Sequence, residues 1–259
     1  MPRHLFLPSV VVLASVATLS CNRNTPTQPT DAPATPLASV ATPAAQLKSS
    51  HFRQPEFDPK DFVGVVDNRF HPLQPGTRFI YIGTEDGEPE KDIVDVTRGQ
   101  KTILGVKVVV VLDRVFQGGA LKERTLDWYA QDEDGNVWYM GEDTKTYENG
   151  KVVSTEGSWE AGKNGAKAGI IMLAHPRVGD TYRQEFARGV AEDQARVVAR
   201  NQKVSVPYGK FSGCLKTEEF TPLEPGATSV KYYCPKIGFV KGDDVIGGTG
   251  HTALSKIIR

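Results

Sequence analysis

Two acidic residues of this sequence are of the right type to form a catalytic pair. Asp127 and Glu142 stand at the two ends of an aromatic-rich hairpin predicted over residues 126–142. Acid–base hydrolysis uses two carboxyl groups held in different environments, one as the acid and one as the base. In an antiparallel meander such a pair is more often part of a solvated edge, so we assign no catalytic residue from the sequence.

Other patterns that carry chemistry are missing or incomplete. The sequence has no His-Glu-x-x-His, Gly-x-Ser-x-Gly, Walker or Cys-x-x-Cys motif. Residues 132–136 resemble the start of a calcium loop, but the Gly falls two positions early and the bidentate Glu is missing. The histidines are scattered, and His175 before Pro176 is typical of a local hydrogen-bonding residue. The sequence therefore predicts no metal and no cofactor.

Five aromatic residues are candidates for a ligand site: Trp128, Tyr129, Trp138, Tyr139 and Trp159. Because successive strand residues point to opposite faces, roughly half of them should face inward. Two interpretations stay open. The residues are either core packing, or an amphipathic wall along a groove for an apolar or sugar-like ligand.

The elements that position these residues are predicted to be strands. Trp128-Tyr129 and Trp138-Tyr139 flank residues 132–135, where Asp132 can hydrogen-bond its own backbone and Gly135 can take a left-handed conformation. Folding back at this turn sets the two aromatic pairs opposite each other, within one residue of register.

Turn signals recur along the chain, separated by runs rich in Val, Ile, Thr and aromatic residues. They are Asp86-Gly87, Gly99, Gly118-Gly119, Asp134-Gly135 and Asn149-Gly150. The spacing predicts an all-β fold with little helix, in which an antiparallel meander forms a strongly curved sheet or a half-open barrel. Residues 77–153 are its clearest part, and the apolar run 106–112 is predicted to be a central strand covered on both faces.

Charge indicates the register of the hairpin at Gly118-Gly119. If Gln117 pairs with Ala120, opposite charges and apolar residues match along the two strands. The expected pairs are Arg114 with Glu123, Asp113 with Arg124, Val111 with Leu126 and Val109 with Trp128. Residues 191–200 could be a helix or a strand, and we favour a strand because the sheet continues on both sides.

Cys214 and Cys234 are predicted to form a disulfide. They flank a turn built from Pro222, Glu224, Pro225 and Gly226, and a fold-back centred on Glu224 brings them opposite each other. Opposed residues in an antiparallel ladder lie about 4.5–5.5 Å apart at Cα, within reach of a disulfide. Two free thiols or a metal pair are the alternatives, but no histidine or third cysteine lies nearby to complete a metal set.

The N-terminus predicts export and a lipid anchor. An apolar run over residues 5–19 is too short to span a bilayer and is typical of a signal peptide at residues 1–20. Its end, Thr18-Leu-Ser-Cys21, resembles the lipobox of bacterial lipoproteins, although Thr18 departs from the usual Leu. The resemblance implies cleavage before Cys21 and attachment of a diacylglycerol to its sulfur, so that the protein is bound to a membrane leaflet without spanning it.

The chain after Cys21 divides by composition. Residues 21–50 are rich in Pro, Thr and Ala and predict a disordered tether, residues 51–66 are a docking segment with Phe52, Phe57 and Phe62, and residues 67–259 form a single β-rich domain. The numbers of basic and acidic residues are equal, at 31 each, so no charge excess favours nucleic acid as a partner.

Several blocks resemble exported bacterial proteins of unassigned function. They are residues 127–142, 147–152, 157–160 and 206–209, and residues 232–240 are similar to the closing segment of envelope lipoprotein domains. A wider similarity, in architecture alone, is to curved lipoprotein domains that hold acyl chains. The resemblance implies a membrane-anchored protein on the periplasmic or extracellular side, but it brings no catalytic residues.

Two functions follow as hypotheses. The first is a non-enzymatic cell-envelope lipoprotein that binds a hydrophobic ligand or an envelope partner. The alternative is an extracytoplasmic hydrolase that uses carboxylates near the central aromatic hairpin.

Overall fold

The computed structural model describes residues 51–259, and within them the regular structure is almost entirely strand. A single turn of 3-10 helix spans Pro59–Asp61. The strands are β1 (His51–Phe52), β2 (Phe62–Val63), β3 (Arg78–Glu85), β4 (Glu88–Ile103), β5 (Val106–Gln117), β6 (Ala120–Asp132), β7 (Val137–Glu148), β8 (Lys151–Ser154), β9 (Trp159–Glu160), β10 (Lys167–Met172), β11 (Asp180–Arg183), β12 (Glu185–Phe186), β13 (Gln194–Val206), β14 (Gly209–Phe220), β15 (Thr228–Cys234), β16 (Gly238–Ile246) and β17 (His251–Ile258).

The strands form one large curved sheet that is not closed into a barrel. Strands β3 to β8 pair in sequence as antiparallel neighbours, as do β13 to β17, and β17 pairs with β3 to join the two runs. The sheet is mixed because β1 lies parallel to β11. The predicted all-β meander and curved sheet are confirmed.

Local turn chemistry explains most of the hairpins. The β7–β8 turn, for example, uses Asn149 and Gly150 at φ 52° and 74°, a left-handed conformation that these two residue types tolerate best. The prediction of a turn at Gly99 was wrong. Strand β4 runs through this residue with a register shift between Val96 and Gln100, and the Thr97 hydroxyl accepts the Gly99 N–H. The turn lies later, at Leu104-Gly105.

A β-bulge shifts the predicted register between β5 and β6. Gln117 pairs with Ala120 as expected, but the register slips between Val115 and Phe116, opposite Lys122. The observed pairs beyond the bulge are Val115 with Glu123, Arg114 with Arg124, Asp113 with Thr125, Leu112 with Leu126, Val111 with Asp127 and Val110 with Trp128. The four expected pairs were therefore wrong by one residue. Arg114 instead bonds Asp95 on β4, the strand on its other side.

The central aromatic hairpin forms where it was predicted. Tyr129 pairs with Tyr139 and Ala130 with Trp138, within one residue of the expected register. The Asp132 carboxylate holds the turn, because it accepts the Asn136 backbone N–H at 2.8 Å, the Asn136 side-chain amide at 2.9 Å and the Trp138 indole N–H at 2.8 Å.

Two other segment predictions have clear outcomes. Residues 194–200 are strand, as part of β13, so the strand interpretation of 191–200 is confirmed for most of that segment. Residues 106–112 are also strand, and both of its faces are partly covered. Val106 and Val108 on one face and Val111 on the other are buried, Val109, Val110 and Leu112 are half-buried, and Lys107 alone is exposed.

Cys214 and Cys234 form the predicted disulfide, with their Cα atoms 4.2 Å apart. The bridge continues the ladder between β14 and β15, in which Leu215 faces Tyr233. It joins the two strands at the end away from the 221–227 turn, so the hairpin is tied at both ends.

The first described residues run back over the sheet. Phe57 and Phe62 pack on Trp138 with ring centroids 5.5 and 5.8 Å away, whereas Phe52 is 57% exposed. No helix in residues 51–259 is long and apolar enough to cross a membrane. The predicted signal peptide, Cys21 and the tether lie outside the described residues.

Candidate functional site

The structure buries the five aromatic candidates in or against the core. Tyr129, Trp138 and Tyr139 are fully enclosed, and Tyr129 stacks on Tyr139 with ring centroids 4.9 Å apart. Trp128 and Trp159 are buried too, but they also border a surface cleft.

A row of buried acids crosses the inward face of four neighbouring strands. Its members are Asp92 on β4, Asp113 on β5, Glu123 and Asp127 on β6, and Glu142 on β7. Asp127 and Glu142 are directly opposed across the ladder, and each is only 3% exposed. The expectation of a solvated edge for this pair was wrong, because the register shift between Trp128 and Tyr129 sets Glu142 opposite Asp127 and the pleat turns both side chains inward. We call these five residues the acid row.

Hydroxyl groups satisfy part of the acid row. The Tyr139 hydroxyl donates to Asp127 at 2.7 Å, and the Thr144 hydroxyl donates to Glu142 at 2.9 Å. The carboxyl groups of Asp92 and Asp113 hydrogen-bond each other. Burial is the largest cause that raises the pKa of both groups, and a hydrogen bond between two carboxyl groups requires that one of them is protonated.

Burial favours the protonated form of three acids in the row. It is the largest cause that raises the pKa of Asp92, Asp127 and Glu142 well above the usual carboxyl range. For Glu142, the neighbouring acids Glu185 and Asp127 raise the pKa further, and the hydrogen bond from Thr144 opposes the rise. These carboxyl groups are therefore held neutral at pH values where an exposed carboxylate is ionised.

One buried lysine lies on β15. Within residues 51–259, Lys231 is the single lysine or arginine that is fully buried, and its ammonium lies 2.7 Å from Glu219. Glu219 also accepts the Tyr233 hydroxyl at 3.0 Å and the Thr217 hydroxyl at 3.1 Å. The charges of Lys231 and Glu219 therefore offset each other within the pair.

The surface cleft has a volume of about 480 Å³ and lies where the β7–β9 edge meets two loops. Its lining residues are Lys101, Trp128, Glu142, Asp143, Ser158, Trp159, Glu160, Lys163, Asn164, Ala166, Ala187, Arg188 and Val190. Glu142 is the one member of the acid row among them. We call this feature the lysine cleft.

Two lysines converge on one glutamate in the lysine cleft. The Lys101 and Lys163 ammonium groups lie 2.8 and 3.0 Å from the same Glu160 oxygen. Burial alone would raise the pKa of Glu160, but the hydrogen bonds from the two lysines outweigh it, and the pKa is lowered. Lys101 also lies over the Trp128 ring, 3.1 Å from its centroid, so the lysine covers this face of the indole.

The remaining charges of the lysine cleft leave it positive. Arg188 has no acidic partner within salt-bridge distance in the described chain, and Asp143 is paired with Lys145 at 3.1 Å. Burial raises the pKa of Glu142 well above its usual range, which disfavours its charged form. Three cations therefore line the cleft, and the Glu160 carboxylate that Lys101 and Lys163 share offsets only part of their charge.

A second and larger cleft, of about 620 Å³, contains His175. It lies between the first described strand and the 173–180 loop, and two of its charged side chains form a pair, since Arg53 Nε lies 3.3 Å from an Asp180 oxygen. The adjacent calcium-like turn has its Asp132 oxygens committed to protein donors. Residues 51–259 contain no group of three or more side chains placed to hold a metal ion.

Comparisons with known proteins do not place the chain in a family. No protein-family model matches it, and no curated protein sequence is significantly similar. A crystal structure of a protein from Parabacteroides distasonis ATCC 8503 that is considered a lipoprotein has a TM-score of 0.41 and 12% sequence identity, over 74% of this chain and 99% of that chain. A likeness at this TM-score carries no argument about fold or function.

Proposed function

We propose that the chain is an exported bacterial lipoprotein, anchored by lipid at Cys21, whose β-rich domain is a non-enzymatic binding module of the cell envelope. The apolar run and the lipobox-like end at Cys21 support export and anchoring. The Cys214–Cys234 disulfide is consistent with folding in an oxidising compartment. The anchor holds the domain on the periplasmic or extracellular side.

The lysine cleft is the site at which this module binds a small ligand. The observation that carries the proposal is a cleft of about 480 Å³ whose lining combines charged side chains with apolar ones and has two buried indoles behind it. This volume is within the range of small-molecule sites. The charged side chains favour a ligand with a polar or charged group over the purely hydrophobic one expected from the aromatic residues, because Lys101 covers Trp128.

The anchor is tested by metabolic labelling with a radioactive fatty acid. The wild-type chain is expected to incorporate label and to fractionate with membranes, whereas Cys21→Ala is expected to do neither. Cys214→Ala/Cys234→Ala serves as the control for the other cysteines and should still be labelled. Label that persists in Cys21→Ala would show that the anchor is elsewhere.

Ligand binding is tested by thermal denaturation of the soluble domain with a panel of sugars, amino acids, sugar acids and sugar phosphates. A ligand at about 100 times its Kd should stabilise the fold by about 2.7 kcal/mol, or about 5–10 °C in melting temperature for a domain of this size. Val190→Trp, in the cleft lining, should abolish the shift. Val178→Trp, exposed but outside that lining, is the matched control.

Hydrolysis in the same cleft is the second candidate function. Two carboxyl groups that line it have pKa values moved apart, since the pKa of Glu142 is raised and that of Glu160 is lowered. Such a pair suits an acid and a base. Glu142→Gln should abolish turnover of a chromogenic ester or glycoside panel while the circular dichroism spectrum is unchanged. Wild-type protein with no turnover on the panel would count against a hydrolase.

A further inference from the structure

We infer that the ligand of the lysine cleft carries an acidic group, a carboxylate or a phosphate, which binds between Lys101, Lys163 and Arg188. This inference rests on the proposed function of the same cleft and names the chemistry of its ligand. No sequence motif indicated it, because the three cations come from three separate parts of the chain.

Lys101 is held in one position from two sides. Its ammonium contacts the Glu160 oxygen at 2.8 Å and lies 3.1 Å from the centroid of the Trp128 ring. Trp128 is itself fixed in the sheet, between Val110 on β5 and Gly141 on β7. A cation held in this way loses little side-chain freedom when it binds an anion, because it is ordered before the ligand arrives.

Lys163 brings a second ammonium to the same place. Since Lys101 and Lys163 both contact one oxygen of Glu160, a single carboxylate is shared by two positive charges. The two ammonium groups repel each other, and a single carboxylate offsets only part of their combined charge. An acidic ligand group beside Glu160 would supply that charge and would accept hydrogen bonds from both lysines.

Arg188 is the third contact. It lies at the opposite loop of the cleft, is exposed, and has no acidic partner among residues 51–259. A guanidinium presents paired N–H donors that match a carboxylate or a phosphate. The cleft therefore holds three cations, one of them a guanidinium with no acidic partner in the described chain, and this combination favours an acidic ligand over a neutral sugar or a wholly apolar chain.

The experiment follows the indole N–H signals of the protein in ¹H–¹⁵N NMR spectra. Trp128 and Trp159 line the cleft, whereas Trp138 donates to Asp132 and lies outside the lining, so it is an internal control. The probes are glucuronate, glucose 1-phosphate and glucose, of which only the last lacks an acidic group. We expect saturable shifts of the Trp128 and Trp159 signals with the acidic probes and none with glucose. Comparing the shifts caused by glucuronate with those caused by glucose 1-phosphate shows whether the site prefers a carboxylate or a phosphate.

Charge-removing variants complete the test. Lys163→Gln and Arg188→Gln change exposed side chains and are each expected to weaken binding of the acidic probe at least tenfold, whereas Lys91→Gln, an exposed residue on β4 outside the cleft lining, is expected to leave it unchanged. Binding of glucose alone, or acid binding that is indifferent to these variants, would overturn the inference and leave the proposed function standing. No response to any of the three probes would overturn both.

Discussion

At the residue scale, Asp132 does the most to fix the central hairpin. Its two oxygens accept three hydrogen bonds, from the backbone and side chain of Asn136 and from the Trp138 indole. Asp132→Ala would leave these buried donors without a partner. Each such loss costs about 1–3 kcal/mol, so we expect the three losses together to lower the free energy of unfolding by at least about 3 kcal/mol in a urea titration.

The matched control for this change is Asp134→Ala in the same turn. Asp134 is exposed, and surface changes of this kind usually alter stability by less than about 0.5 kcal/mol. Equal effects of the two variants would contradict the role given to Asp132.

The buried pair of Lys231 and Glu219 gives a second test. The two side chains are 5% and 3% exposed as residues, and their charged atoms are 2.7 Å apart. Removing one charge by Lys231→Met leaves the other buried and unpaired, at an expected cost of about 3–5 kcal/mol. The double variant Lys231→Met/Glu219→Gln should recover much of this loss in the same denaturant titration. A double variant as unstable as the single one would show that charge pairing is not the reason.

The sequence named Asp127 and Glu142 as a pair but did not predict their environment. Composition and spacing bring the two acids together, and the observed ladder sets them opposite each other. Whether they face the core or water depends on the parity of the register, and one bulge inverts that parity. The same limit applies to Glu123 and Asp113, which the charge-based register had paired with arginines.

At the element scale, the hairpin turns were predictable because their chemistry is local. The pairs Asp86-Gly87, Gly118-Gly119 and Asn149-Gly150 all take positive φ angles at real turns. Bulges were not predictable, since the one opposite Lys122 has no glycine or proline to mark it. The prediction of a turn at Gly99 failed for a related reason, because a glycine inside a strand can mark a bulge as well as a turn.

The disulfide tests the β14–β15 hairpin as an element. Cys214 and Cys234 are separated by 20 residues, and closing a loop of this length should stabilise the fold by about 3 kcal/mol in the chain-entropy model. We expect Cys214→Ala/Cys234→Ala to lower the free energy of unfolding by about this amount, and a reductant to have the same effect on the wild type only. If the reductant destabilises the double variant equally, the effect does not come from this bridge.

At the scale of the whole molecule, the acid row makes stability depend on pH in an unusual direction. The folded-state pKa of Asp92, Asp127 and Glu142 is raised, so the folded protein binds more protons than the unfolded chain above pH of about 4. Their contribution to stability is complete below the unfolded pKa and is lost as pH rises toward the folded one. For Asp193, whose pKa burial raises to about 6, this loss is complete near that pH.

His71 acts in the opposite direction in acid, so the test belongs above neutral pH. Burial lowers the pKa of His71 to about 4, and its contribution to stability is lost as pH falls below about 6.5. Between pH 7 and 9 we therefore expect the free energy of unfolding to fall with pH, by about 1.4 kcal/mol per unit for each acid that stays protonated only in the folded state.

Asp127→Asn is the variant that isolates the effect. The amide oxygen can still accept the Tyr139 hydroxyl, but the group no longer titrates. The slope of stability against pH, from denaturant titrations at pH 7, 8 and 9, should become less steep than in the wild type. A wild-type stability that is flat or rising over this range would show that the row is ionised in the folded state.

The fold class was predictable from the sequence, but the lysine cleft was not. Its lining comes from the end of β4, from β6 and β7, and from two loops near residues 163 and 188. These parts meet only because the sheet curves and β10 pairs back onto β7. The aromatic residues correctly predicted the central hairpin. Their burial under Lys101 and within the core depends on the strand register and on bulges.

The most direct test of the central claim is native mass spectrometry of the domain from Gln46 onward, exported by the cell and purified without detergent. We predict a population with the mass of the disulfide-bonded chain plus one small acidic compound. In Lys101→Gln/Lys163→Gln/Arg188→Gln that compound should be absent while the folded chain is retained. A co-purifying lipid or neutral molecule that persists in the triple variant, or a wild-type domain that carries nothing, would contradict the claim that the lysine cleft binds an acidic ligand.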